Sequence, residues 1–289
     1  MNNAQDGRWY RRISGRRWFA IGGVLALVVP TIVSVARNHW SSEEGTQGPI
    51  ILATGIWLLW RLRTILYREA APLKNAAWPI LLLPLVMSYV FARIYQVLPL
   101  ETLAVYLLGV LTAVIYLGPR LVRRFWFPFL YLGFLIVPPV ILTADLTQPI
   151  KLWISAMSVN FLHFLGYPVA LSGATIQIGQ YELLVRQACA GLGSLLTLCA
   201  VGLFYVHLRS NAGVRFGAAL LLAIVPIAVL ANLVRVLIII LLTWYFGAEV
   251  GQGVAHEMAG IIMFCVAMLC MFAADGVFGA LQRKASQPR

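Results

Sequence analysis

Charge is what this sequence has least of: Asp, Glu, Lys and Arg together make up 11% of its 289 residues, and the acids number only ten. With 61% of the chain hydrophobic, that scarcity excludes an ordinary soluble domain. Cysteine is scarce too. Cys189, Cys199, Cys265 and Cys270 show no CxxC spacing and three of them fall inside apolar runs, so neither a disulfide scaffold nor a zinc site is expected. Cys199, Cys265 and Cys270 read as small packing residues. No long repeat, linker or low-complexity segment interrupts the chain, which reads as one domain over residues 1–289.

What the sequence does have is long apolar runs. A span needs about 20 mainly apolar residues to cross roughly 30 Å of hydrocarbon. Eight stretches qualify, from about Trp18 to Ala36, Pro49 to Leu66, Ala77 to Leu98, Leu100 to Leu117, Phe125 to Ala144, Gly191 to His207, Phe216 to Phe246 and Met258 to Leu281. The expected fold class is therefore an all-α polytopic membrane protein with about eight transmembrane helices. The first run follows "RWYRRISGRRW", which resembles the charged start of a signal peptide, but no small-residue cleavage site closes it, so it reads as a retained anchor.

Basic residues gather in every second connection: "RWYRRISGRR", "RLRTILYREAAPLK", "PRLVRR", "RSNAGVR" and the tail "QRKASQPR". The positive-inside rule puts those faces, and both termini, in the cytoplasm. Most acids fall to the other side, among them Glu43, Glu44, Glu101, Asp145, Glu182, Glu249 and Glu257. The net charge of +12 is thus a topology signal. Nucleic-acid binding would need a basic groove with aromatic platforms and is not expected.

One outward connection is long, residues 145–188. Its first part carries Ile150, Trp153, Ile154, Met157, Phe161, Leu162 and Leu165 at helical spacing, which predicts an amphipathic helix in the outer interface, with His163 in the stripe as a packing residue. Its second part, "ATIQIGQYELLVRQA", alternates like two short strands, with Gly179 and Gln180 suited to a type II′ hairpin turn. The second strand runs on to Cys189, at the start of the sixth apolar run. There the helix N-terminus favours a thiolate, and Gly191 and Gly193 leave backbone amides open to hold an oxyanion. Glycines that merely let a helix start beside a neighbour fit the same residues.

The seventh run contains two groups that a bilayer does not take cheaply, Asn232 and Arg235. At 1.5 Å per residue from Phe216, Arg235 lies roughly 28 Å from the inner edge, close to the outer surface. An arginine snorkelling to lipid phosphate fits that depth as well as a functional one. Asn232, three residues earlier, shares nearly the same helical face. His256 opens the eighth run, after a glycine-rich turn. Topology thus brings Cys189, Arg235 and His256 to the outer side from three different helices. Those residue types can perform acyl transfer: a thiolate attacks a peptide carbonyl, an imidazole moves the proton, and a guanidinium balances the oxyanion. Ser194 and Glu257 lie nearby without an assigned role.

The segments "ACAGLGSL", "NLVRV" and "HEMAG", in that order on the last three apolar runs, resemble the signature segments of the exosortase and archaeosortase family. The resemblance is close over the C-terminal half and extends to character and topology over the first five runs. It implies a membrane cysteine transpeptidase of the bacterial cytoplasmic membrane, its active site on the outer, periplasmic face. Such an enzyme processes exported proteins that carry a C-terminal sorting signal: a short motif, a hydrophobic helix and a basic tail. The new carboxyl end would pass to an envelope acceptor.

Under the resemblance, the nucleophile maps to Cys189, the arginine to Arg235, the histidine to His256 and the asparagine before the arginine to Asn232. Members often have Ser directly after the nucleophile and a polar residue after the next Gly-Leu pair; this chain has Ala190 and Gly193 there. The extra C-terminal domain of some members is not expected. No cofactor or metal is implied, and the implied partners are the protein substrate and membrane lipid. Two other readings share these residues: an intramembrane protease that ends in hydrolysis, and a transporter or scaffold of an envelope-polymer export system. No inverted repeat of the transporter kind is visible.

Overall fold

A computed structural model describes residues 15–40, 45, 48–73, 78–184, 192–209, 214–247 and 254–286. Its elements are, in order, α1 (Gly15–Val35, running into a π-helical turn at Ala36–Trp40), α2 (Gly48–Arg68), α3 (Trp78–Ile94), α4 (Leu98–Leu117), α5 (Pro119–Arg124), α6 (Trp126–Leu132, closed by a 3₁₀ turn at Gly133–Leu135) and α7 (Val140–Phe164). Three strands follow, β1 (Val169–Ser172), β2 (Thr175–Ile178) and β3 (Tyr181–Leu184), and then α8 (Leu192–Arg209), α9 (Val214–Phe246) and α10 (Val254–Ser286). Among the described residues, five helical stretches are long and apolar enough to cross a membrane: Gly22–Trp40, Gly48–Arg68, Leu98–Leu117, Phe216–Phe246 and Ile261–Ala280. Shorter apolar helices lie at Ile80–Ile94, Trp126–Leu135 and Cys199–Arg209.

The run from Phe125 to Ala144, expected to be one span, is not one helix. Residues 136–139 are non-helical between the 3₁₀ turn and α7. Pro138 and Pro139 are the cause, because a proline disfavours helical geometry in the residue before it and lacks the N–H that a continuing helix needs. Pro139 itself is extended, with φ −61° and ψ 130°, and sits as the residue that starts α7. The outer-loop helix expected to begin near residue 145 is therefore continuous with the end of that fifth run.

Two compact units account for the chain, Met1–Ser41 with Thr54–Val137 and Ser42–Ala53 with Pro138–Arg289. In the first, α4 packs on α3 and α1. Its buried polar centre is Glu101, 3% exposed, in the first turn of α4, where the helix dipole favours an anion. Its carboxylate accepts from Arg93 Nη1 on α3 at 2.8 Å and from the Thr31 hydroxyl on α1 at 2.8 Å, and the same Arg93 nitrogen donates to Ser34 at 2.6 Å. Glu101, expected in an outward connection, is thus a buried tie among three helices.

The second unit is built around α9, which runs unbroken through Pro226 and packs against α10, α8 and α7. Above its last third lies a three-stranded antiparallel sheet in the order β1-β2-β3. The expected hairpin is β2 and β3, with Ile178 opposite Tyr181. Gly179 has φ 57° and Gln180 does not enter the left-handed region, the pattern of a type II′ turn. The first strand extends the expectation: β1 joins β2 through a second two-residue turn, in which Gly173 has φ 59°.

The inner face of the sheet supplies Val169, Ile176, Ile178 and Leu183, which close over Val236, Ile239 and Ile240 of α9 and over Ile154 and Leu162 of α7. The apolar stripe expected along α7 divides accordingly. Ile154 and Leu162 are core, whereas Ile150, Trp153, Met157, Phe161 and Leu165 remain exposed. His163 is exposed as well, near the end of α7.

Candidate functional site

Chain order places four described elements around the sequence-predicted residues. β3 ends at Leu184 and α8 begins at Leu192. Cys189 and Gly191 fall between them and lie outside the described residues; the backbone of Gly193 is in the first turn of α8. Arg235 and Asn232 are on α9, and His256 is in the first turn of α10.

Helix registers relate the levels of the described elements. α8 and α9 are joined by residues 210–213 and run antiparallel, and they pack closely at Gly202, where an added Cβ would lie 2.9 Å from Ile224 Cγ1. Stepping back along α8 from Gly202 to Leu192 corresponds to stepping forward along α9 from Ile224 to Val234. The N-terminus of α8 therefore opens at the level of Arg235, to within about one residue rise of 1.5 Å.

The α9–α10 pair gives the second register. An added Cβ at Gly279 would lie 4.0 Å from Phe216 Cε2. Moving from Phe216 to Ile239 on α9 matches moving from Gly279 to His256 on α10, and the common burial of Ala231 with Met263 midway agrees with it. His256 thus stands about one helical turn, roughly 6 Å along the axis, from the level of Arg235. α8 also packs on α10, with the Tyr205 and Phe272 rings 5.4 Å apart, so the three helices are mutual neighbours.

Burial marks the two α9 residues as more than lipid-facing polar groups. Arg235 is 5% exposed and Asn232 2%, so neither reaches out to the bilayer surface. The snorkelling alternative for Arg235 does not hold in this structure. Among the described residues, Asn232 Oδ1 has no hydrogen-bond donor, a state that costs about 1–3 kcal/mol for a buried acceptor. Polar groups kept at such a cost inside an apolar unit are functional candidates.

The sheet covers α9 from this level onward. Val236, one residue after the arginine, is fully buried beneath it. The Gly179 turn sits directly on the Trp244 ring, and the Tyr167 and Tyr245 hydroxyls meet at 2.9 Å. Gly247, φ 88°, ends α9 with its N–H bonded to Thr243 O at 3.0 Å. Of the remaining thiols, Cys199 packs against the apolar cluster of α8, α9 and α10 as expected, whereas Cys265 is exposed on α10 and is not a packing residue.

The comparison that decides the family covers most of this architecture. The transmembrane exosortase family model matches residues 39–273, from the end of the first apolar helix to within α10. The chain belongs to the transmembrane exosortase family. Within the exosortase match lie both units in large part and all of Cys189, Asn232, Arg235 and His256. None of the curated proteins and none of the solved structures gives a significant match to the chain. With its family and its apolar helices together, this exosortase is a membrane protein.

Proposed function

We propose that the chain is a cysteine transpeptidase of the bacterial cytoplasmic membrane that removes C-terminal sorting signals from exported proteins on the outer face. The observation that carries this reading is the α8 N-terminus at the level of Arg235, with the His256 backbone about one helical turn beyond it, on three mutually packed helices. Cys189 directly precedes α8, whose N-terminal amides and dipole favour a thiolate. The alternation of basic connections supports both termini in the cytoplasm, with this end of the helices outward.

In this mechanism the thiol proton passes to His256 and the Cys189 sulfur attacks the carbonyl carbon of the scissile peptide. The Arg235 guanidinium, with the amides of Gly191 and Gly193, balances the charge on the carbonyl oxygen. Asn232 supports the arginine from the preceding turn. His256 returns the proton to the leaving nitrogen as the C–N bond breaks, so the sorting helix departs as a free amine and the substrate stays on sulfur as a thioester. An acceptor nucleophile then gives its proton to His256 and takes the acyl group, and the thiol is restored. The chemistry uses side chains and backbone amides alone, with no cofactor.

The test compares mature C-terminal peptides of envelope and secreted proteins from cells with the native chain or Cys189→Ala. Proteins that keep a hydrophobic helix and basic tail only in the variant are the substrates. The mass on the new carboxyl end in native cells is expected to include an acceptor; an end lengthened by water alone would make the enzyme a hydrolase. Unchanged C-termini, with candidate substrates detected in both strains, would remove the catalytic reading.

A further inference from the structure

Among the described residues, the outer edge of β3, the strand that leads towards Cys189, has no partner strand. In the hairpin, Ile178 faces Tyr181 across a two-residue turn and Ile176 faces Leu183. Those are the positions that exchange N–H and C=O groups between strands closed by such a turn. On the other side of β2 the alternation is complementary: Gln177 and Thr175 pair with β1, and Gly179 N–H continues that ladder to Pro168 O at 3.0 Å. It follows that Tyr181 and Leu183 bond to β2, while Glu182 and Leu184 turn their N–H and C=O groups away from the sheet. Among the described residues, β3 pairs with β2 alone.

Nothing in β3 blunts this edge. Exposed edges are ordinarily protected by lysine, proline or a bulge. The strand reads Tyr-Glu-Leu-Leu, its register with β2 is unbroken, and Glu182 is its single charge. The opposite edge differs, since Pro168 precedes β1 and α7 packs against that strand. Side-chain directions leave the β3 edge accessible: Leu183 points into the core, whereas Glu182, hydrogen-bonded to Gln177 at 3.2 Å, and Leu184 are exposed. A sheet edge of this kind is not stable in hydrocarbon, so it faces water or a partner's backbone.

We propose that an extended stretch of the substrate protein binds as a fourth strand along β3, pairing with the outward N–H and C=O groups of Glu182 and Leu184. This rests on the acyl-transfer reading. The chain from Leu184 to Cys189 is five residues long, a reach of at most about 18 Å, so a strand added here runs within that distance of the nucleophile. Backbone pairing would recognise the added strand through groups every peptide has, leaving preference to the side chains that flank the cut.

The test uses the full chain in lipid nanodiscs and a synthetic peptide copying the C-terminal segment of a protein left uncleaved in the Cys189→Ala strain. N-methyl groups are placed one residue at a time along the peptide. Strand addition predicts that KM rises about fivefold at every second residue and stays within about twofold at the residues between, because only alternate N–H groups face the enzyme. Glu182→Pro removes one outward donor without touching the β2 ladder; it is expected to raise KM by a similar factor, and the methyl at the partner position then adds no further loss.

A flat methylation profile together with a neutral Glu182→Pro, in an enzyme still dependent on Cys189, would overturn strand addition and leave acyl transfer standing. Turnover of the peptide by Cys189→Ala would instead overturn the acyl-transfer reading and the proposal with it. The methylation series uses unaltered enzyme, so it decides the matter even where Glu182→Pro fails to fold.

Discussion

A guanidinium 5% exposed, within a long apolar run of α9 that only Asn232 also interrupts nearby, is the most informative single residue in the chain. A charged side chain kept buried within a span, away from water and lipid headgroups, is a functional candidate by default. Its position was legible in the sequence because charge interrupts an apolar run there, and Asn232 was legible for the same reason. That neither reaches lipid was not legible, since burial depends on which helices cover that face of α9. If Arg235 holds the oxyanion through its planar fork, lysine cannot replace it. Arg235→Lys is expected to lower kcat by about 10²-fold while leaving the yield of folded membrane protein unchanged. Native turnover of that variant in a cleavage assay would make the arginine a structural charge.

Among the elements, the sheet is where sequence and structure part most visibly. β2 and β3 announced themselves through "TIQIGQYELL" and the Gly179–Gln180 turn, whereas β1 is four residues long, follows a Gly-Tyr-Pro stretch and becomes a strand only because β2 offers it an inner edge. The break at Pro138–Pro139 was hidden because the flanking residues are apolar throughout, so hydropathy reads across it. Gly179 makes the sheet's seat testable. Its φ is 57°, and an added Cβ would lie 2.5 Å from Trp244 Cζ3, so both backbone strain and a ring clash oppose a side chain. Gly179→Ala is expected to destabilise the second unit by about 1–3 kcal/mol, read as a lower Tm in detergent and faster proteolysis between β2 and α8. A Tm equal to the native value would mean that the turn does not sit on α9 as described.

In the first unit the corresponding element-scale tie is Arg93–Glu101, 2.8 Å, with the carboxylate side chain 3% exposed and the guanidinium 37%. Removing one partner leaves a buried charge, whereas replacing both by apolar groups removes the demand. Arg93→Met is therefore expected to cost roughly 2–4 kcal/mol of unfolding stability, and the pair Arg93→Met with Glu101→Leu to recover most of it. Additive losses in thermal unfolding of the three variants would mean that the pair is not coupled.

For the whole molecule, composition alone established the class, and the alternation of basic connections supplied an orientation. What composition cannot carry is register between helices. Gly202 against Ile224 and Gly279 next to Phe216 are contacts between residues with no chemistry of their own, yet they set the α8 N-terminus, Arg235 and His256 near one level. That geometry supports the acyl-transfer mechanism proposed for the chain. The most direct test is to trap the acyl-enzyme: native protein in nanodiscs is incubated briefly with a C-terminal peptide substrate, quenched in acid and analysed by mass spectrometry. The account predicts the substrate's new carboxyl end joined to Cys189, released as a hydroxamate by hydroxylamine and absent from Cys189→Ala. Substrate cleavage without any adduct, continuing in Cys189→Ala, would contradict it.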